Sequence, residues 1–94
     1  MTIANTIADQ IKAQDAMALW AWGSKDMMSL NNGLQFKTSG MVQRKCIVQV
    51  IYDEAQDMYN VVFGRIRKLE WKIDRKVEGV FADQLVEIID GYVG

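Results

Sequence analysis

The chain predicts an α+β fold: an antiparallel four- or five-stranded sheet with N- and C-terminal helices packed on one face. Three observations carry this. Apolar residues recur at helical spacing at both ends, at Ile3, Ile7 and Ile11 and again at Val77, Phe81, Leu85 and Ile88. Between them lie short runs rich in β-branched and aromatic residues, with turn signals separating them. Two amphipathic helices bury their stripes together against one face of a twisted sheet.

Taken in order, Ile3, Ile7 and Ile11, with Ala4 and Ala8 beside them, put one apolar stripe on the first helix. Thr2 is its N-cap candidate. The stripe widens through "AMALWAWG", and Gly23 is the expected stop, because glycine takes the left-handed conformation after a last turn. Asn32-Gly33 is the local signal for a hairpin turn. Leu34, Phe36 and Thr38 then alternate with Gln35 and Lys37, and "TSGM" reads as another turn. "RKCIVQVIYD" is the best strand: Cys46, Val48, Val50 and Tyr52 share one face, and Lys45, Ile47, Gln49 and Ile51 the other. After the polar loop "DEAQD" comes "MYNVVFGRIR", with Tyr59, Val61 and Phe63 inward. Strict alternation would carry Arg65 and Arg67 into the core. A bulge at Gly64 is therefore expected, turning Ile66 inward and both arginines outward. "KLEWKID" gives a last strand with Leu69, Trp71 and Ile73 inward. "VEGVFADQLVEIIDGYV" reads as the second helix, with Val80 and Ile89 broadening its stripe and Gly91 ending it. The expected core is Ile7, Ile11, Phe36, Val48, Val50, Val61, Phe63, Trp71, Phe81, Leu85 and Ile88.

Composition narrows the function. Ninety-four residues make one domain, 1–94, with a small core, so surplus apolar surface points to a partner. Eleven basic against twelve acidic residues exclude both a globally basic protein and an acidic nucleic-acid mimic. One cysteine, Cys46, allows no internal disulfide. The first fifteen residues lack the apolar run of a signal peptide, and no stretch reaches the length of a membrane span, so the expectation is a cytoplasmic protein without membrane attachment.

Catalytic chemistry finds little support. The absence of histidine removes any Ser-His or Cys-His pair, and zinc or iron ligand sets with it. Cys46 falls on an inward strand face, where it reads as a small core residue. Asp53, Glu54 and Asp57 lack the spacing of a calcium loop. "GSK" lacks the upstream glycine and following helix of a phosphate loop. No catalytic residue, metal or cofactor is expected.

Charge and aromatic placement are more informative. Residues 64–76 hold six basic and two acidic side chains, a local +4, whereas Glu78, Asp83, Glu87 and Asp90 give the final segment −4. Arg65, Arg67, Lys68, Lys72, Arg75 and Lys76, with Arg44 and Lys45 on a neighbouring strand as further candidates, could contact phosphates or an acidic partner, including the acidic helix of a second copy. The same residues could simply solvate the open face of the sheet and guard an edge. Trp20 and Trp22, about 200° apart on a helix, cannot share a face, so one can anchor an interface while the other is core; alternatively both are core, where the helix frays and the chain turns over the sheet.

"DMYNVVFGRIR" and "EGVFADQLVEIID" are similar to a pattern in small uncharacterised proteins of bacteriophages and other bacterial mobile elements. The matching residues are Asp57, Tyr59, Val61, Phe63 and Arg65, then Gly79, Val80, Phe81, Ala82, Asp83 and Leu85, and the Leu34–Lys37 strand looks like the family too. Phe81 stands where tyrosine is more usual. The resemblance spans roughly the last two thirds of the chain and implies a phage- or element-linked bacterial context, with no activity. The expected function is a non-enzymatic, homodimeric protein-interaction module; the alternative is a nucleic-acid-binding accessory protein using residues 65–76.

Overall fold

A computed structural model describes residues 3–39 and 46–93. The elements run α1 (Ile3–Gln14), α2 (Ala18–Ala21), β1 (Lys25–Leu30), β2 (Gly33–Thr38), β3 (Cys46–Asp53), β4 (Met58–Arg67), β5 (Glu70–Val80), a 3-10 turn (Ala82–Gln84) and α3 (Leu85–Val93). The strands form one antiparallel sheet in the order β1-β2-β3-β4-β5. Thr2, Arg44, Lys45 and part of the "TSGM" turn lie outside the described residues.

The helices cover one face. Ile7 and Ile11 of α1, Trp22, and Leu85, Ile89 and Val93 of α3 join Leu34, Phe36, Cys46, Val48, Val50, Tyr59, Val61, Phe63 and Val80 in one buried cluster. The inward alternation expected on β2, β3 and the first half of β4 is therefore present. Trp22 stacks on Phe36 with ring planes 4° apart and donates its indole N–H to Asp90 Oδ1 at 3.0 Å, which ties α2 to α3. Gln14 bridges the same layer, donating to the Ala82 carbonyl and accepting from the Val86 N–H.

The N-terminal helix is broken where the sequence suggests continuity. Asp15 accepts the Met17 N–H on its side chain at 3.0 Å, replacing a helical bond with a local turn. Gly23 does end α2: its φ is 63°, and the Ser24→Leu19 and Gly23→Trp20 bonds satisfy the last carbonyls. The first hairpin turn is Asn31-Asn32, because Leu30 pairs with Gly33. Gly33 is a strand residue instead, since a Cβ there would lie 2.1 Å from the Val50 carbonyl oxygen.

Two further expectations give way at β5. The C-terminal helix begins only at Leu85, because Val77–Val80 still pair with β4; it runs through Gly91 to Val93. Its buried stripe is Leu85, Ile89 and Val93, so Ile88 is only part-buried and Phe81 is half exposed. The register shift near Gly64 does exist, but on the opposite strand. Phe63 pairs with Arg75 and Gly64 with Ile73, leaving Asp74 of β5 as the extra residue. β4 keeps its alternation, so Ile66 does not turn inward and Arg65 stays on the Phe63 side. On β5 the extra residue reverses the faces: Val77 points to the helices, while Ile73 and Trp71 point away from them.

Candidate interaction surfaces

β4 and β5 outrun the rest of the sheet. Its third strand reaches β4 only as far as the Ile47–Gly64 pair, and residues 66–76 are all exposed. The end of the hairpin is thus a two-stranded ribbon projecting from the core. Its turn is Lys68-Leu69, between paired Arg67 and Glu70, with φ of 51° and 64°. Positive φ at both central residues matches the twist of the strands, but asparagine and glycine adopt it at lower cost than lysine and leucine. Leu69, expected inward, is 99% exposed at the tip.

Alternation fixes what each side of the ribbon carries. On the helix side, the Arg65–Lys72 and Arg67–Glu70 pairs succeed the Phe63–Arg75 pair. Arg65 directly opposite Lys72 is a like-charge pair, which disfavours the sheet by a few tenths of a kcal/mol to about 1 kcal/mol. Asp74, the bulged residue, offsets this: the Arg65 Nε donates to Asp74 Oδ2 at 2.7 Å, and this bond raises the arginine pKa further. Lys72 meets Glu70 at 3.0 Å and Lys76 meets Glu78 at 3.2 Å, both near the surface. Arg67, Lys68 and Arg75 make no ion pair among the described residues. The six basic residues are therefore divided: Arg65, Arg67, Lys72 and Arg75 on the helix side, Lys68 at the turn, Lys76 on the other side.

Of the six, only Lys76 stands on the open face, so the expectation that they solvate it fails for the other five. The part of that face nearest the ribbon is apolar. Ile47 pairs with Gly64 and Gly64 with Ile73, Val62 lies between Gln49 and Lys76, and Ile66 pairs with Trp71. Ile47 and Val62 are buried yet stand outside the helix-side core cluster. Ile66 is 60% exposed, Ile73 56% and Trp71 38%. Trp71 lies across Gly64: a Cβ there would meet its ring at 2.8 Å and the Lys72 carbonyl oxygen at 2.5 Å. Polar side chains flank the patch, with Gln49 donating to Gln35 Oε1 at 2.8 Å. Among the described residues no helix lies on this side.

The tryptophan pair divides, so the reading that both are core fails for Trp20. Trp22 is core, which removes it as an interface residue, and Trp20 is 77% exposed on α2. Cys46 is buried, and desolvation pushes its thiol pKa up. Glu70 pairs with Lys72 and Asp74 with Arg65, and the Tyr59 hydroxyl donates to Gln10 Oε1 at 2.9 Å. Among the described residues, no group of three or more acidic or cysteine side chains is placed to hold a metal ion, and no helix is long and apolar enough to cross a membrane. Comparison of the chain with protein-family models, curated proteins and solved structures gives no match.

Sequence reasoning overlooked Ile47, Val62 and Ile66 as surface-forming residues. A signal was available: "CIVQVIY" and "NVVF" are apolar on both alternating sets, which a strand with one wet face does not need.

Proposed function

We propose that the protein is a non-enzymatic interaction module that forms a homodimer through the open face of its sheet, acting in the cytoplasm as an accessory protein of a phage or mobile element. The cellular setting rests on the resemblance in the strand and C-terminal motifs. Self-association rests on one observation, the exposed apolar patch of Ile66, Trp71 and Ile73, continuous with buried Ile47 and Val62, on a face without a covering helix among the described residues.

A second copy suits this patch for three reasons. Strands β2 to β5 offer roughly 550 Å² of sheet plane, and side-chain relief raises the accessible area toward the ~800 Å² per partner of a stable interface. An apolar patch with a polar rim can complement itself across a two-fold axis. A net charge of −1 leaves little repulsion between copies. The lack of histidine and the burial of Cys46 favour a role without catalysis.

Sedimentation equilibrium tests the dimer. The wild-type chain is expected at twice its 10.7 kDa mass at micromolar concentration. Ile73→Glu, at an exposed position, is expected to run as a monomer with unchanged far-UV circular dichroism. A wild-type monomer near millimolar concentration would overturn the reading.

A further inference from the structure

We propose that the helix-side face and tip of the β4–β5 ribbon bind the phosphodiester backbone of a nucleic acid, through Arg67, Lys68 and Arg75 with Lys72 beside them.

The charge on the ribbon exceeds what the fold uses. Residues 64–76 carry +4 while the rest of the chain carries −5, so the positive potential is gathered on one projection. The basic side chains are also ordered by the sheet. Arg65 and Arg67 are two apart on β4, so they point the same way, and Lys72 stands directly across from Arg65. Arg75, across from Phe63, continues this face toward the body of the protein. Asp74 engages Arg65 and Glu70 engages Lys72, but Arg67, Lys68 and Arg75 have no such partner among the described residues. Glu87 lines the same groove of about 230 Å³ as Arg75 without forming an ion pair with it.

The shape favours an extended polyanion. A ribbon two strands wide, exposed from residue 66 to 76, reaches phosphates that a flat sheet face cannot. It is also narrow enough for the major groove of duplex DNA, which admits a two-stranded β-ribbon. Trp71 lies on the opposite face, within the proposed dimer surface, and the helix-side aromatics nearest Arg75, Phe63 and Tyr92, pack on each other with ring centroids 4.2 Å apart, so base stacking plays no part and binding is independent of sequence. This basic face is separate from the self-association surface and does not depend on it.

The test is fluorescence anisotropy of the full chain with a labelled 20-nucleotide single strand and a labelled 20-base-pair duplex, at 50 and 200 mM salt. Three neutralised phosphates give a duplex slope of about −2.7, so affinity should fall roughly 40-fold between the two salts. The single-strand slope of about −2.1 gives a roughly 20-fold fall. Arg67→Gln and Arg75→Gln should each reduce the magnitude of the duplex slope by about 0.9, with circular dichroism unchanged. The two nucleic-acid arms report which source of phosphodiester is preferred, and salt-sensitive binding of either supports the proposal. Binding that ignores salt, binding unaltered in both variants, or no binding at 50 mM salt overturns it. Capture by phosphatidylserine vesicles without oligonucleotide binding also overturns it, by assigning the basic face to a lipid surface. Ile73→Glu, on the other face, separates the two surfaces: loss of the dimer with the arginine-dependent salt slope retained leaves this inference standing.

Discussion

Leu69 is the residue at which local and global demands disagree most. It holds φ at 64° and exposes 99% of its surface at the tip of the ribbon. Glycine at that position of the turn adopts the same conformation without a Cβ penalty. Leu69→Gly is expected to stabilise the protein by about 1 kcal/mol, raising Tm by roughly 4–8 °C in a thermal scan. Tyr52 gives a second residue-scale prediction. Its hydroxyl donates to Asp57 Oδ1 at 2.5 Å, and that bond pushes the phenol up to about 12. The bond requires the protonated phenol, so its contribution to stability is intact below about pH 10 and disappears as pH rises through about 12. Phenolate absorbance at 295 nm should therefore show one late tyrosine that Asp57→Asn returns toward the ordinary range; asparagine tolerates the positive φ at that site. Tyr92 is raised as well, by burial, and the difference between wild type and variant isolates Tyr52. At this scale the sequence was readable where one residue carries one conformational need. Gly23 announced its left-handed cap, whereas the spacing of Trp20 and Trp22 allowed their separation without deciding it. Gly33 was misread because the glycine-containing pair looked like a turn, whereas the true demand is the close approach of the Val50 carbonyl.

Among elements, the strands and their order were legible because their alternation is strong, and the two terminal helices because their apolar spacing is. The errors concentrate at β5. Counted back from Val77, strict alternation sends Ile73 and Trp71 to the helices, and nothing in "WKIDRKV" marks Asp74 as the extra residue. The bulge is fixed by the partner strand: Gly64 leaves room for Trp71 to cross it, and Arg65 supplies the cation that holds Asp74. That is a pairwise property, invisible in either segment alone. The same blindness let the final helix start too early, since Val77 and Val80 fit a helical stripe while pairing with β4. Gly64→Ala tests the arrangement. The added methyl meets the Lys72 carbonyl oxygen and the Trp71 ring, an overpacking cost of about 1–3 kcal/mol, read as a lower urea midpoint and altered tryptophan fluorescence.

The whole molecule sorts its surface chemistry by face. Helices and sheet close one core, the far side of the sheet carries an apolar patch, and the projecting ribbon carries most of its arginine and lysine on the helix-side face. Charge segregation was visible in the sequence; the face that each charge occupies was not, because it follows from the Asp74 bulge. In a dimer joined through open faces, the two basic surfaces point outward and away from each other, so self-association and polyanion binding do not compete. Apolar surface on the open face explains how a short chain with half its residues hydrophobic has more than its core can take. The measurement that bears most directly on this account is sedimentation equilibrium of the wild-type chain beside Ile73→Glu. A dimeric wild type and a folded, monomeric variant are the expected pair. A wild type that stays monomeric near millimolar concentration, or a variant that remains fully dimeric, would contradict the assignment of the open sheet face as the surface that joins two copies.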